Sequence, residues 1–174
     1  MTTADNQQLL RVEGIVKRFP GVVALGGVSF DLNPGEVHVL LGENGAGKST
    51  LIKCLSGVYH PDEGRVVVDG EQVRIDTASR AEQLGIATIH QEFNLVPELS
   101  VAENITLGRP PRRLGVINRR EMDRQARAAL ERVGLNVDLH RPVGTLGVAR
   151  QQLVEIAKAL SLDARILILD EPTA

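Results

Sequence analysis

The sequence is poor in aromatic residues and in cysteine. Aromatic residues make up 2% of the 174 residues, with no tryptophan and one tyrosine. A core without many large rings has to be built from Leu, Val, Ile and Ala, which favours an α/β fold over an aromatic-rich β-sandwich. The single cysteine, Cys54, excludes an intrachain disulfide framework, and its helical flanks predict a small core residue.

Two further absences concern membranes and nucleic acids. No apolar run approaches the roughly 18 residues that a membrane-spanning helix needs, and residues 1–8 are polar, without the pattern of a signal peptide. The formal net charge is -2, so the chain has no broad electrostatic attraction for nucleic acid or anionic lipid. These features predict a protein that is made and kept in the cytoplasm and reaches a membrane only by docking on another protein.

Turn signals and apolar runs divide the first half of the chain into strands. Residues 9–19 and 28–32 predict two strands, and the apolar run 36–41 predicts a buried central strand. A hairpin is predicted where Asp69 and Gly70 separate two β-like segments. A strand–loop–helix unit is therefore expected around the glycine-rich segment that follows residue 41.

The second half of the chain reads as mostly helical before a last strand. Thr77, Ser100 and Asn118 are the predicted N-caps of three helices. A further amphipathic helix is expected around 151–160, and a buried strand at 165–169. This order predicts an α/β fold with a mainly parallel central sheet, an N-terminal β-rich part and a helical insertion.

A glycine-rich segment carries the strongest chemical signal. It fits the pattern G-x-x-x-x-G-K-[ST] with Gly42, Glu43, Asn44, Gly45, Ala46, Gly47, Lys48 and Ser49. Glycines allow the backbone to curl so that successive N–H groups point at phosphate oxygens, and the following helix adds its positive N-terminal end. Lys48 is then expected to reach the β- and γ-phosphates and the Ser49 hydroxyl to bind Mg²⁺. Thr50 completes the predicted ATP site, and the alternative is a glycine-rich turn that fits the pattern by chance.

Two carboxylates follow a second apolar run. Asp170 and Glu171 come directly after residues 166–169. A buried strand would place Asp170 at its carboxyl end, where ligands sit in open α/β sheets. Asp170 is predicted to hold Mg²⁺, directly or through water, and Glu171 to polarise the attacking water as general base. The alternative is a strand that ends in a solvated acidic turn.

Together these motifs resemble the nucleotide-binding domain of ABC transporters, a P-loop NTPase fold, over essentially the whole chain. The resemblance implies that Phe19 stacks on adenine, and the alternative is an ordinary core phenylalanine. It also implies that Gln91 is the glutamine of the Q-loop, which contacts the metal and the attacking water. An amide suits that role because it donates and accepts hydrogen bonds at once. The alternative for Gln91 is a surface residue at a strand end.

Three segments are similar to ATP-binding subunits of monosaccharide importers of the ribose, xylose and galactose type: 57–64, 90–109 and 151–160. In that subfamily the full chain carries two such domains in tandem, and this chain would be most of the first. The resemblance implies an ATPase on the cytoplasmic face of the cell membrane. Expected partners are integral-membrane permease subunits, a second nucleotide-binding domain, tandem or dimeric, and indirectly a sugar-binding protein, but no nucleic acid.

The resemblance also divides the chain. It places an ATP-binding core at 1–91 and 161–174 and a helical insertion at about 92–160, within one partial domain over 1–174. The family's D-loop, its switch histidine and one central strand would follow Ala174. A sheet without that strand has unpaired backbone groups and exposed apolar faces. Residues 1–174 alone are therefore expected to be incomplete at the C-terminus, poorly stable and nearly inactive.

One segment departs from the family's pattern. The signature, usually LSGGQ-like, aligns with 146–150, which reads LGVAR. Gly147 lacks the hydroxyl that would donate to a γ-phosphate bound by the partner domain, and the Ala149 methyl impedes close approach. An ATP-binding module with little or no hydrolysis is therefore one alternative, and a soluble non-transport ABC ATPase is another. A GTPase is disfavoured because the sequence has no N-K-x-D segment.

Overall fold

The computed structural model describes residues 8–43, 45–89 and 94–170 of the chain. These residues form two compact units, the first ending at Leu84 and the second beginning at Gly85. Three predicted site residues, Asn44, Gln91 and Glu171, lie outside the described residues.

A four-stranded antiparallel sheet dominates the first unit, in the order β2-β1-β3-β4. Its strands are β1 (Leu10–Phe19), β2 (Val22–Leu32), β3 (Glu63–Val68) and β4 (Glu71–Val73). Leu10, Val12 and Ile15 of β1 are fully buried and form the inner face. The sheet is the N-terminal β-rich part that the sequence predicts, and β2 begins six residues earlier than predicted at Val28.

The turn between β3 and β4 matches its sequence signal. Asp69 has φ of 53° and Gly70 has φ of 82°. Two successive positive φ angles characterise the type I′ turn, whose twist suits a two-residue hairpin. The predicted hairpin is confirmed.

Two helices complete the first unit, α1 (Lys48–Leu55) and α2 (Ala78–Gln83). The Thr77 hydroxyl accepts a hydrogen bond from the Arg80 N–H at 3.1 Å, so the predicted N-cap of α2 is confirmed. Cys54 on α1 is buried, as predicted, and burial raises the pKa of its thiol.

The predicted central strand at 36–41 is not formed. Val37, Val39 and Leu41 expose 89%, 67% and 90% of their surface. A strand needs a neighbour for its backbone N–H and C=O groups, and no strand of the described residues pairs with this segment. The prediction was wrong because apolar composition reports a tendency to be buried and not the presence of a pairing partner.

The second unit contains a two-stranded parallel sheet of β5 (Ile86–Ile89) and β8 (Ile166–Leu169). The strands pair residue for residue, from Ile86 opposite Ile166 to Ile89 opposite Leu169. Ile86 and Ile166 are buried. The parallel pairing agrees with the predicted parallel core, but the strand that was predicted to be buried at 165–169 exposes 36% of Leu167 and 46% of Leu169.

The second unit also contains three α-helices: α3 (Val101–Ile105), α4 (Arg119–Arg132) and α5 (Val148–Ser161). The Ser100 hydroxyl accepts from the Glu103 N–H, and the Glu103 carboxylate accepts from the Ser100 N–H. This reciprocal capping box opens α3. The Asn118 side chain accepts from the Glu121 N–H and opens α4. Both predicted caps are confirmed.

A short hairpin separates α3 from α4. Its strands are β6 (Arg112–Arg113) and β7 (Val116–Ile117). Leu114 and Gly115 form the turn with φ of 51° and 84°. The sequence did not predict this hairpin, because strands of two residues leave no alternating pattern.

The helices of the second unit enclose one apolar core. Its buried residues are Val101, Ala102, Ile105, Met122, Ala126, Ala129, Leu130, Leu139, Val143, Leu146, Val154 and Ala157. One polar side chain is fully buried beside it, that of Asn104. Its amide donates to the carbonyls of Val96, Leu99 and Ser100 and accepts from the Val96 N–H. Asn104 thereby satisfies the backbone of the segment before α3.

Candidate functional site

The predicted phosphate loop leads directly into α1. Gly45 and Gly47 have φ of 86° and 89°, the left-handed region that favours glycine. The Ala46 N–H donates to the Glu43 carbonyl at 3.1 Å. These features turn the backbone back on itself immediately before the first turn of the helix.

Gly47 is the tightest point of the loop. A Cβ atom at this position would lie 2.4 Å from the Ala24 carbonyl oxygen and 2.9 Å from Leu25 Cδ2. A Cβ atom on Gly45 would meet no atom within 4 Å. The absence of a side chain at Gly47 therefore allows the loop to pack against β2, whereas Gly45 is required only for its left-handed backbone conformation.

We expect Gly47→Ala to destabilise the protein more than Gly45→Ala does. Both substitutions incur the left-handed backbone cost of about 1–2 kcal/mol, but only Gly47→Ala adds a clash with backbone. Urea unfolding of the two variants measures the difference. Equal destabilisation would mean that the contact with Ala24 does not constrain the loop.

The Lys48 side chain folds back over the loop. Its ammonium group donates to the Gly42 carbonyl at 2.5 Å and to the Glu43 carbonyl at 3.0 Å. A cation held at this place stands over the curl, beside the N-terminal end of α1. The ammonium group is thereby held at the loop that precedes α1, whose first-turn N–H groups have no intrahelical acceptor.

Ser49 and Thr50 continue the first turn of α1. Ser49 is exposed, and its hydroxyl makes no hydrogen bond within the part of the chain that the structure describes. An unengaged hydroxyl in the first turn of the helix fits the role of a Mg²⁺ ligand. The backbone N–H groups of this turn precede the first intrahelical bond, which runs from the Leu51 N–H to the Gly47 carbonyl.

Phe19 ends β1 with a half-buried ring. Its ring centroid lies 5.3 Å from that of Tyr59, with the ring planes at 70°. The Lys17 ammonium lies 5.6 Å from the centre of the Phe19 ring. No role of its own was predicted for Tyr59 from the sequence, although it is the one tyrosine of the chain and lies in segment 57–64.

Asp170 follows β8 in the second unit. Its N–H donates to the Ile89 carbonyl at 3.0 Å, which extends the parallel pairing by one residue. Asp170 thus lies at the carboxyl end of the strand pair, as predicted. In the ranges that the structure describes, no three His, Cys, Asp or Glu side chains cluster to hold a metal. A Mg²⁺ site with one or two protein ligands and phosphate oxygens requires no such cluster.

Asn94, the first described residue after Gln91, is hydrogen-bonded to side chains of α5. The Asn94 N–H donates to the buried Glu155 carboxylate at 2.9 Å, and the Asn94 carbonyl accepts from Lys158 at 3.0 Å. Both side chains were missed from the sequence. The available signal was a glutamate next to Val154 on a helix face that is otherwise apolar.

The signature segment opens α5. Gly147 is the N-cap, with φ of -67°, and a Cβ atom there would meet nothing within 4 Å. Arg150 is exposed, and the Gln151 side chain donates to the Leu146 carbonyl at 2.8 Å. The backbone at position 147 accepts any L-residue, so the departure from the family's serine is confined to the side chain.

Among the helices of the described ranges, none has the length and apolarity to cross a bilayer.

Comparison with known proteins places the chain among ATP-binding cassettes. It is 67% identical over 174 residues to the ribose import ATP-binding protein RbsA 2 of Streptomyces coelicolor, covering 100% of this chain and 34% of that protein. The chain spans about a third of the length of the curated relatives it matches.

Two solved structures share the fold. The structure of cbiO1 from Clostridium perfringens, part of the ABC transporter complex cbiONQ, has a TM-score of 0.82 at 29% identity, covering 97% of this chain and 67% of that one. The ADP conformation of the ATP-binding cassette MJ1267 has a TM-score of 0.82 at 31% identity, covering 96% and 70%. These neighbours confirm the predicted α/β P-loop fold. Since the family described as ABC transporter also matches residues 25–174, the chain belongs to the ABC transporter family.

Proposed function

We propose that the chain is the ATP-binding and ATP-hydrolysing part of a transporter that imports a monosaccharide, with ribose as the first candidate. The observation that carries the proposal is the loop before α1, where Lys48 and the left-handed Gly45 and Gly47 form a curl suited to phosphate. The relative named above, a ribose import ATP-binding protein, supports the choice of sugar.

The proposed site binds ATP at two ends. Phosphate oxygens are bound by backbone N–H groups of the loop, including that of Asn44, and by the N–H groups of Lys48, Ser49 and Thr50. Lys48 exchanges its two loop carbonyls for β- and γ-phosphate oxygens, which is favourable because anionic acceptors replace neutral ones around the ammonium group. Phe19 stacks on the adenine base.

Mg²⁺ fits the donor set of this site. Ser49 offers an unengaged hydroxyl in the first turn of α1, and Asp170 offers a carboxylate at a strand end. Gln91 is the third proposed ligand. When bound, the ion neutralises charge on the β- and γ-phosphate oxygens.

The proposed chemistry is attack of water on the γ-phosphate. Glu171 accepts a proton from the water while the water oxygen bonds to the γ-phosphorus. The bond between the γ-phosphorus and the bridging β-phosphate oxygen breaks, which releases ADP and inorganic phosphate. Gln91 orients the water with its amide. The chain's own residues thus supply binding, orientation and proton transfer.

The proposed assembly follows from the proposed role as the ATP-hydrolysing part of an importer. The chain acts at the cytoplasmic face of the membrane as a peripheral subunit, with permease subunits and a second nucleotide-binding domain as direct partners. A sugar-binding protein acts indirectly. Residues 1–91 and 161–174 form the proposed ATP-binding core, and about 92–160 form the helical insertion.

Reconstitution tests this function. The full-length protein and its permease are placed in proteoliposomes, and vanadate-sensitive phosphate release is measured together with uptake of labelled ribose. We expect both to depend on ATP. ATP binding without phosphate release would reduce the protein to a binding module, and co-purification with ribosomes in place of a permease would contradict the transport role.

A further inference from the structure

The Phe19–Tyr59 pair joins two elements that are distant in sequence. Phe19 is the last residue of β1, and Tyr59 follows α1, the helix that begins at the phosphate loop. Their ring centroids lie 5.3 Å apart at 70°, the edge-to-face geometry that aromatic rings prefer. One ring contact therefore links the end of β1 to the segment that follows α1.

Tyr59 is itself held from the α1 side. The N–H groups of Val58 and Tyr59 both donate to the Lys53 carbonyl, at 2.9 and 3.0 Å. Gly57 turns the chain with φ of 75°, and a Cβ atom there would lie 2.4 Å from the Thr77 backbone. The Lys53 ammonium lies 5.5 Å from the centre of the Tyr59 ring. The position of Tyr59 is thus fixed by the C-terminal end of α1.

The end of β1 is anchored to the same loop. The Asp62 carboxylate accepts from the Arg18 N–H at 2.6 Å and pairs with the Lys17 ammonium at 3.0 Å. The Asp62 N–H donates to the Val16 carbonyl at 2.8 Å. Asp62 thus fixes the backbone and Lys17 beside Phe19, and among the described residues Tyr59 supplies the ring contact to Phe19.

We propose that Tyr59 is a positioning residue for base recognition, whose ring holds the Phe19 ring in the orientation that stacks on the adenine of ATP. The inference rests on the proposed stacking of Phe19. The Tyr59 hydroxyl makes no hydrogen bond within the described part of the chain, so only the ring is required. Tyr59 acts on the base and leaves phosphate binding to the loop.

Binding measurements on the full-length protein separate the two ends of the ligand. Affinities for Mg-ATP and for inorganic tripolyphosphate, which has no base, are compared in Tyr59→Leu and Tyr59→Phe. We expect Tyr59→Leu to weaken ATP binding about three- to tenfold, the range of one aromatic pair, with tripolyphosphate unchanged. Tyr59→Phe should retain the parent affinity. The KM for ATP should rise in Tyr59→Leu while kcat at saturation stays the same.

Phe30→Leu provides a matched control. Phe30 pairs with the His38 ring at 5.2 Å in the same unit, and neither residue is one of the proposed site residues. Its loss should leave both affinities unchanged. Equal weakening of ATP and tripolyphosphate by Tyr59→Leu would mean a general structural role and would overturn the proposal.

A double-substitution experiment distinguishes this inference from the role of Phe19. In a Phe19→Ala background, Tyr59→Leu should cause no further loss of ATP affinity, because the ring that it orients is gone. Full ATP affinity in Phe19→Ala would contradict the stacking role and the inference with it. Weakened binding in Phe19→Ala but not in Tyr59→Leu would overturn the inference alone.

Discussion

Lys48→Ala should weaken the binding of Mg-ATP by about 2 kcal/mol, roughly 30-fold in Kd. The expectation follows from the position of the ammonium group, which donates to the Gly42 and Glu43 carbonyls and so stands over the curl of the loop. Its loss removes a charge-assisted contact to phosphate that no other side chain of the described loop supplies. Isothermal titration with Mg-ATP measures the effect.

Arg80→Ala is the control for this experiment. Arg80 is an exposed cation of the same unit, on α2, and its guanidinium donates to Gln83. If loss of positive charge in general weakened binding, both variants would bind less ATP. Parent-like ATP affinity in Lys48→Ala would refute the assignment of residues 42–49 as the phosphate site.

Glu171→Gln should reduce phosphate release by a factor of about 10² to 10⁴, the usual contribution of a general base. Glutamine keeps the size and the hydrogen-bonding capacity of glutamate but does not take up a proton. ATP binding should therefore be retained. Single-turnover phosphate release and ATP titration on the same preparation separate the two effects.

Two outcomes decide the role of Glu171. Glu131→Gln, at an exposed position of α4, controls for the loss of a carboxylate and should hydrolyse ATP at the parent rate. If Glu171→Gln also kept the parent rate, the base would have to be another group. If Glu171→Gln lost ATP affinity together with phosphate release, Glu171 would act in ATP binding.

Local signals in the sequence predicted the local structure well. Thr77, Ser100 and Asn118 each cap the helix that follows, because a side-chain oxygen reaches an N–H three residues on without help from the rest of the fold. The turn at Asp69 and Gly70 formed for the same reason, since its φ angles are set by two adjacent residues.

Pairing across the fold was harder to predict. The segment 36–41 has the composition of a central strand but no partner among the described strands, and composition does not specify partners. The start of β2 was missed because Gly26 and Gly27 interrupt its apolar pattern, although β1 pairs with it as far as Val22. Register shifts along this pair accommodate the glycines.

In the candidate site, too, contiguous features were predictable from the sequence and contacts between distant residues were not. The loop from Gly42 to Ser49 is contiguous in sequence, so its pattern could be recognised directly. Side chains that support the site from a distance left no comparable pattern. Glu155 binds the Asn94 backbone across 61 residues, and only the folded helix α5 brings the two together.

The helical core of the second unit draws its buried residues from a continuous stretch, Val101 to Ala157, and the strands of the first unit contribute none of them. We expect substitutions in this core to alter the packing of α3, α4 and α5, which all contribute residues to it. Because this cluster is complete within residues 101–157, the helical segment has an apolar core of its own.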